Sequence, residues 1–236
     1  MVASKATTRR ITIQRRTFLS FGLQQNLFRK MPVPVQPSCI PSHHPSGIMD
    51  KPAPSICVFC GSSFGKDPAY RDAARAIGAG VAALGGRLVF GGGGLGLMGD
   101  VAKAALAGGA EIQGIMPAFL QALEPGVSPQ EKLIITPHMQ ERKALMLAMS
   151  DAFVILPGGL GTFDEFFEVT TEAQLGAHAK PIILVNIGGY FDTLDALMRH
   201  MVETGFAKDH VLTLYRMTDN AEAALALLHQ ALAPSR

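Results

Sequence analysis

From Ser55 onward, short apolar runs alternate with longer Ala-rich stretches of helical spacing, and small flexible residues punctuate the joins. Residues 56–60, 87–90, 111–116, 132–136, 152–156, 181–185 and 211–215 read as strands. Residues 68–84, 97–106, 139–149, 162–175, 191–204 and 220–232 read as helices, and Pro117 opens a further short one. Gly85-Gly86 and Gly108-Gly109 stop the first two helices. Strands that are apolar throughout and separated by helices predict an α/β fold: a doubly wound, mostly parallel, Rossmann-like sheet in a single domain. Ligands of such sheets bind at the carboxyl ends of the strands, near a switch point in strand order. Three strands run into small residues there: Gly61-Ser62-Ser63, Gly91-Gly92-Gly93-Gly94, and Pro157 through Thr162. A pocket is expected where these loops converge.

The first 49 residues share none of this pattern. They carry Lys5, Arg9, Arg10, Arg15, Arg16, Arg29 and Lys30, no acidic residue, and a Pro- and Ser-rich second half. A disordered basic leader is expected over 1–49, with the folded domain over 50–236. Three readings of it stay open: an organelle transit peptide, an export signal (Gln14 through Leu19 resembles a twin-arginine signal), or an over-extended start with the true one at Met49. The overall charge of +2 conceals this division, because from Asp50 onward 14 basic residues face 19 acidic ones. A mildly acidic body is a poor partner for a nucleic-acid backbone. No apolar run of about 18 residues exists to cross a membrane, and a cytoplasmic protein is expected. Cys39, Cys57 and Cys60 are too few for a disulfide framework. Cys57-Val58-Phe59-Cys60 lacks a second pair or nearby His ligands for a metal, so these cysteines are read as packing in a buried strand.

Candidate chemistry concentrates in Pro157-Gly158-Gly159-Leu160-Gly161-Thr162-Phe163-Asp164-Glu165. The glycines expose backbone N–H groups and the following helix aims its N-terminus at the same point, which suits a phosphate. Thr162 either caps the helix or offers its hydroxyl to that phosphate. A ligand-free capping box, Thr162-x-x-Glu165, is the bland alternative. A second loop, residues 89–99, contains Gly94, Gly96 and Gly99 in G-x-G-x-x-G spacing. A dinucleotide site would need an acid at the end of the next strand, and Glu111 comes too early. The loop is read as a close backbone approach to a nucleotide, with a simple tight turn as the alternative. Gln140-Glu141-Arg142-Lys143 opens a helix. Arg142 and Lys143 either reach the pocket or belong to an ordinary charged face.

These motifs, in this order, resemble the Lonely Guy family, the cytokinin riboside 5′-monophosphate phosphoribohydrolases long mislabelled as lysine decarboxylases. The matching stretches are Cys60-Gly61-Ser62-Ser63, residues 89–99, Gly114-Ile115-Met116-Pro117, Glu141-Arg142-Lys143-Ala144, residues 157–165, and Thr171 with Gln174-Leu175-Gly176. The resemblance covers about residues 55–210. It implies that Arg142 and Glu165 are the catalytic pair. It further implies substrate contacts from Ser62, Gly93, Glu124, Lys143, Gly158, Gly159, Gly161, Thr162 and Thr171. The family often has His where this chain has Gln140, and Trp where it has Glu172, which puts base preference in doubt.

The expected activity is hydrolysis of the N-glycosidic bond of a nucleoside 5′-monophosphate, without metal or other cofactor. The expected partners are that small molecule and, by resemblance, a second copy of the chain in a homodimer. Glu165 would stabilise the positive charge that builds at C1′, or else grip the ribose hydroxyls. Arg142 would neutralise phosphate or orient the substrate. Three competing classes stay open: a purine-monophosphate nucleosidase of general metabolism, a non-catalytic nucleotide-binding protein, and an NAD-dependent enzyme, the last argued against by the missing strand-end acid.

Overall fold

The computed structural model describes residues 53–121, 126–128 and 131–233. The expected leader and Glu124 lie outside these residues. Seven parallel strands form one sheet in the order β4-β3-β2-β1-β5-β6-β7. They are β1 (Ser55–Phe59), β2 (Arg87–Phe90), β3 (Ile112–Pro117), β4 (Lys132–Thr136), β5 (Ala152–Ile155), β6 (Ile182–Val185) and β7 (Arg216–Thr218). The chain winds outward from β1 to β4, returns to lay β5 against the other side of β1, and winds outward again to β7. The reversal falls between β1 and β5, where Ile56 aligns with Ala152 and Phe59 with Ile155. That is the switch point, and it carries two of the three loops marked in the sequence.

Period-two alternation divides the core. Ile56, Val58 and Cys60 face one side, against α1 (Ala69–Ala83), α2 (Gly96–Ala107) and α7 (Ala221–Leu232). Cys57 and Phe59 face the other, against Met146 of α4 (Met139–Ala148), Phe166 and Val169 of α5 (Leu160–Gln174), and Leu194 and Met198 of α6 (Asp192–Glu203). Both cysteines of the C-x-x-C stretch are free and buried, as packing residues of a central strand should be. Asn220 caps α7 by accepting from the Ala223 amide at 2.8 Å.

Three sequence expectations need correction. Residues 211–215 do not form the last strand. Residues Asp209–Thr213 form a 3₁₀ turn and the strand is Arg216–Thr218. The buried residues of the segment are Val211 and Tyr215, four apart, which is a helical interval rather than strand alternation. Pro117 does not open a helix. It ends β3, paired with Thr136, and the four-residue α3 (Ala118–Gln121) follows it. The helix after the glycine loop of residues 157–159 starts at Leu160, two residues before the expected 162.

Close helix packing explains one glycine inside a helix. A Cβ on Gly78 of α1 would lie 2.2 Å from the Val101 carbonyl oxygen of α2. Helix propensity alone would make Gly78→Ala stabilising by about 1 kcal/mol. The contact is with backbone, which cannot swing aside, so overpacking of about 1–3 kcal/mol should win. Gly78→Ala is therefore expected to lower the urea midpoint, and a raised midpoint would show that the two helices are not held this close.

Candidate active site

The strand ladder at the switch point runs on into the loops. The Leu156 amide donates to the Phe59 carbonyl at 2.9 Å, and the Gly61 amide to the Pro157 carbonyl at 3.0 Å. Residue 159 then caps α5 without any side-chain hydrogen bond. The first α5 amide with a backbone acceptor is Phe163, bonded to the Gly159 carbonyl at 3.2 Å. The N–H groups of Leu160, Gly161 and Thr162 precede it and have no acceptor within the helix. The remaining loop carbonyl, that of Gly158, accepts from the Tyr190 hydroxyl. All three carbonyls of residues 157–159 are thus occupied by donors, which leaves the loop a face of N–H groups. A backbone face of donors at the positive end of a helix suits an anion.

The capping-box alternative fails on this geometry. Thr162 is the third residue of α5, not its cap. Glu165 sits deeper in the helix, almost fully buried, and faces Arg142 with 3.3 Å between Nη2 and Oε1. Arg142 is likewise buried, and its Nε donates to the Ile115 carbonyl at the end of β3 at 3.1 Å. Its guanidinium occupies space left by Gly91, where a Cβ would come within 2.3 Å of Nη2. Gly91, the first glycine of the run after β2, therefore makes room for Arg142. Burial pushes the Glu165 carboxyl up to about 7, with Arg142 pulling it back down. A carboxyl poised near neutrality can hold or release a proton at working pH.

A cavity of about 300 Å³ opens over this pair, lined by Ser62, Gly91, Gly159, Gly161, Thr162, Arg142 and Glu165 among others. Met98, Leu120, Met139 and Leu160 supply its apolar wall. A larger depression of about 840 Å³ lies at the opposite, amino ends of the strands, beside Arg87, Glu111 and Asp151. There Arg87 lies within ion-pair distance of Glu111, and Asp151 accepts from the Ser55 amide. Those groups are engaged in holding strands.

Of the residues singled out in the sequence, Arg142, Glu165, Ser62, Gly159, Gly161 and Thr162 meet at the cavity, whereas Gly158 does not line it. Gly93 is buried in the loop between β2 and α2, and Gly91 is the member of that loop on the cavity wall. Lys143 does not reach the cavity. Its Nζ bridges Asp164 at 2.9 Å and Glu168 at 2.5 Å, tying α4 to α5. Successive helix residues diverge, so Arg142 faces inward while its neighbour ties the two helices together. Thr171 is exposed on α5, nine residues beyond Thr162 and about 13 Å further along the axis. Gln140 is exposed on α4 and Glu172 half-buried on α5, and neither lines the cavity. Cys60 does line it, but burial first and the Glu165 charge second raise its thiol far above the ordinary range, so it stays protonated. Sequence reasoning missed the apolar wall and Tyr190, which comes from the loop after β6 and left no local motif.

Fold and site together define a Rossmann-like α/β protein with a glycine loop of free backbone amides and a buried Arg–Glu pair at its switch point. The family model described as "Possible lysine decarboxylase" matches residues 98–228, and the chain belongs to that family. A probable cytokinin riboside 5′-monophosphate phosphoribohydrolase of Oryza sativa subsp. japonica is 48% identical over 151 residues, covering 64% of this chain and 66% of the relative. The chain thus spans just under two thirds of that relative's length. A cytokinin riboside 5′-monophosphate phosphoribohydrolase of Arabidopsis thaliana is 39% identical over 175 residues, covering 74% and 82%. Among solved structures, the molybdenum cofactor binding protein of Rippkaea orientalis superposes with a TM-score of 0.59 at 20% identity, over 78% of this chain and 100% of that one. The Moco carrier protein of Chlamydomonas rheinhardtii gives 0.57 at 22%, with the same coverage. At those identities the two structures speak for the shared fold alone.

The opposed influences on Glu165 make a direct prediction. Carboxyl-labelled Glu165 should titrate with a midpoint near 7 by ¹³C NMR, and Arg142→Ala should move the midpoint higher, because the attracting charge is removed. A midpoint in the ordinary carboxylate range, or a downward move in the variant, would contradict the burial on which the site rests.

Proposed function

We propose that this chain hydrolyses the N-glycosidic bond of cytokinin riboside 5′-monophosphates, releasing the free base and ribose 5-phosphate. The observation that carries the reading is the juxtaposition, on one helix, of a donor-only loop and a buried carboxyl raised to about 7. The loop takes the 5′-phosphate, and Glu165 stands about one and a half turns into α5. Phosphate binding places C1′ against the carboxylate and spends remote binding energy on orientation.

As the C1′–N bond breaks, its electron pair goes to the base nitrogen and positive charge grows on C1′. The Glu165 carboxylate stabilises that charge and directs a water to it. The water's hydroxyl ends on C1′ and its remaining proton goes to the base. Arg142 keeps Glu165 ionised and oriented, and offers its own positive charge to the phosphate end of the substrate. The apolar wall of Met98, Leu120, Met139 and Leu160 suits an apolar substituent on the base.

The relatives, named as phosphoribohydrolases, support this reaction over decarboxylation, and so does the site. A pyridoxal phosphate decarboxylase needs a lysine free to form a Schiff base. No lysine lines the cavity among the described residues, and Lys143 is held by two carboxylates. The resemblance also carries the expectation of a homodimer, which sedimentation of the full chain would read. The expectation of a cytoplasmic protein awaits localisation of the tagged full chain. Among the described residues, no helix is long and apolar enough to cross a membrane.

Chromatography of the full chain incubated with AMP and with isopentenyladenosine 5′-monophosphate tests the reading. Free base should appear from both, faster from the prenylated nucleotide. Glu165→Gln and Arg142→Ala should each lower kcat/KM by about 10²- to 10³-fold, of the order seen when one oxyanion-hole donor is removed. Nucleotide binding without base release by the unaltered chain would leave a binding protein. A Glu165→Gln protein with full turnover would remove Glu165 from the mechanism.

A further inference from the structure

The donor face of the phosphate loop is not produced by the loop alone. Two of its three carbonyls are turned by backbone partners: Pro157 by the Gly61 amide and Gly159 by the Phe163 amide. The third, Gly158, has no such partner and is held by a side chain from a different βα unit, Tyr190. Every described peptide bond is trans, so the Gly159 N–H points opposite to the Gly158 carbonyl across one rigid plane. Fixing that carbonyl on Tyr190, which does not line the cavity, therefore fixes the Gly159 N–H on the side away from Tyr190, and Gly159 itself is a cavity residue. Residue 158 offers little local resistance to rotation, since it is a glycine, although a larger residue is barred by Thr162 Oγ1 at 2.1 Å from an added Cβ.

We propose that Tyr190 is a positioning residue for phosphate recognition: its hydroxyl holds the Gly158 peptide so that the Gly159 amide donates to the substrate phosphate. The inference rests on the reading of residues 157–162 as a 5′-phosphate site. Tyr190 is itself rigidly placed. Its ring stacks on Phe163 at 6.4 Å and meets Tyr70 edge-on at 5.8 Å and Phe191 at 5.0 Å. The turn that delivers it, at residues 188–189, has both glycines at positive φ, +61° and +76°. Buried Asn186 anchors the turn, accepting from the Phe191 amide at 2.6 Å and donating to Asp192 at 2.7 Å. The hydroxyl thus acts from a scaffold that survives its removal, because phenylalanine keeps every ring contact.

The test is Tyr190→Phe in the full chain, with binding of inorganic phosphate, ribose 5-phosphate and adenosine measured by calorimetry beside kcat and KM for AMP. The expected result is a roughly 5- to 10-fold loss of affinity for phosphate and ribose 5-phosphate, as one hydrogen bond is worth. Adenosine affinity should be unchanged, and KM for AMP should rise with kcat nearly constant. Equal losses for all three ligands would reduce Tyr190 to a structural role and overturn the proposal, as would no loss for any. An unaltered chain that binds adenosine but neither phosphate compound would instead overturn the phosphate-site reading itself.

Discussion

The buried ion pair between Arg142 and Glu165 is the interaction on which the rest of the site depends. Two charges removed from water are costly unless each finds further partners. Arg142 finds them in the Ile115 carbonyl and in the gap at Gly91. Glu165 has fewer, and burial raises its carboxyl to about 7 while Arg142 pulls it back toward the ionised form. Helices α4 and α5 must sit in one relative register for the pair to form. Lys143 enforces that register from the outer side, through Asp164 and Glu168, the residues that flank Glu165 on α5.

The sheet topology supplies the other half of the arrangement. Because the chain leaves β1 for α1 on one face of the sheet and β5 for α5 on the other, the loops after these paired strands part and leave a gap beyond them. The Gly61 amide binds the Pro157 carbonyl across that gap. One helix then provides both the free amides at its start and the carboxyl roughly 7 Å further on. On the proposed reading, a nucleotide anchored by its phosphate at the first presents its sugar to the second. This economy explains why so small a cavity contains so few charged groups.

Much of this was legible in the sequence, and the exceptions have physical causes. The alternation of apolar runs and Ala-rich stretches gave the parallel sheet, because strands covered on both faces leave a continuous apolar signature. The segment 157–165 marked the loop and helix start at the switch point, since glycines followed by a helix have a local meaning. What that segment hid was the role of Thr162. The T-x-x-E spacing reads as a cap in one dimension, whereas the helix starts two residues earlier. Lys143 and Arg142 are adjacent in sequence, and only the helix's rotation separates the one that enters the cavity from the one that braces its wall. Tyr190 and the wall formed by Met98, Leu120 and Met139 come from elements far apart in the chain, and an isolated Tyr or Met carries no periodic or motif signal. The false strand at 211–215 arose from apolar residues whose interval was four and not two.

The most direct measurement is a crystal structure of the Glu165→Gln protein with AMP. The account predicts the phosphate on the amides of Gly159 through Thr162, C1′ beside residue 165, and the base against Met98, Leu120 and Met139. A phosphate bound elsewhere, for example at the amino ends of the strands, or a sugar turned away from residue 165, would contradict it.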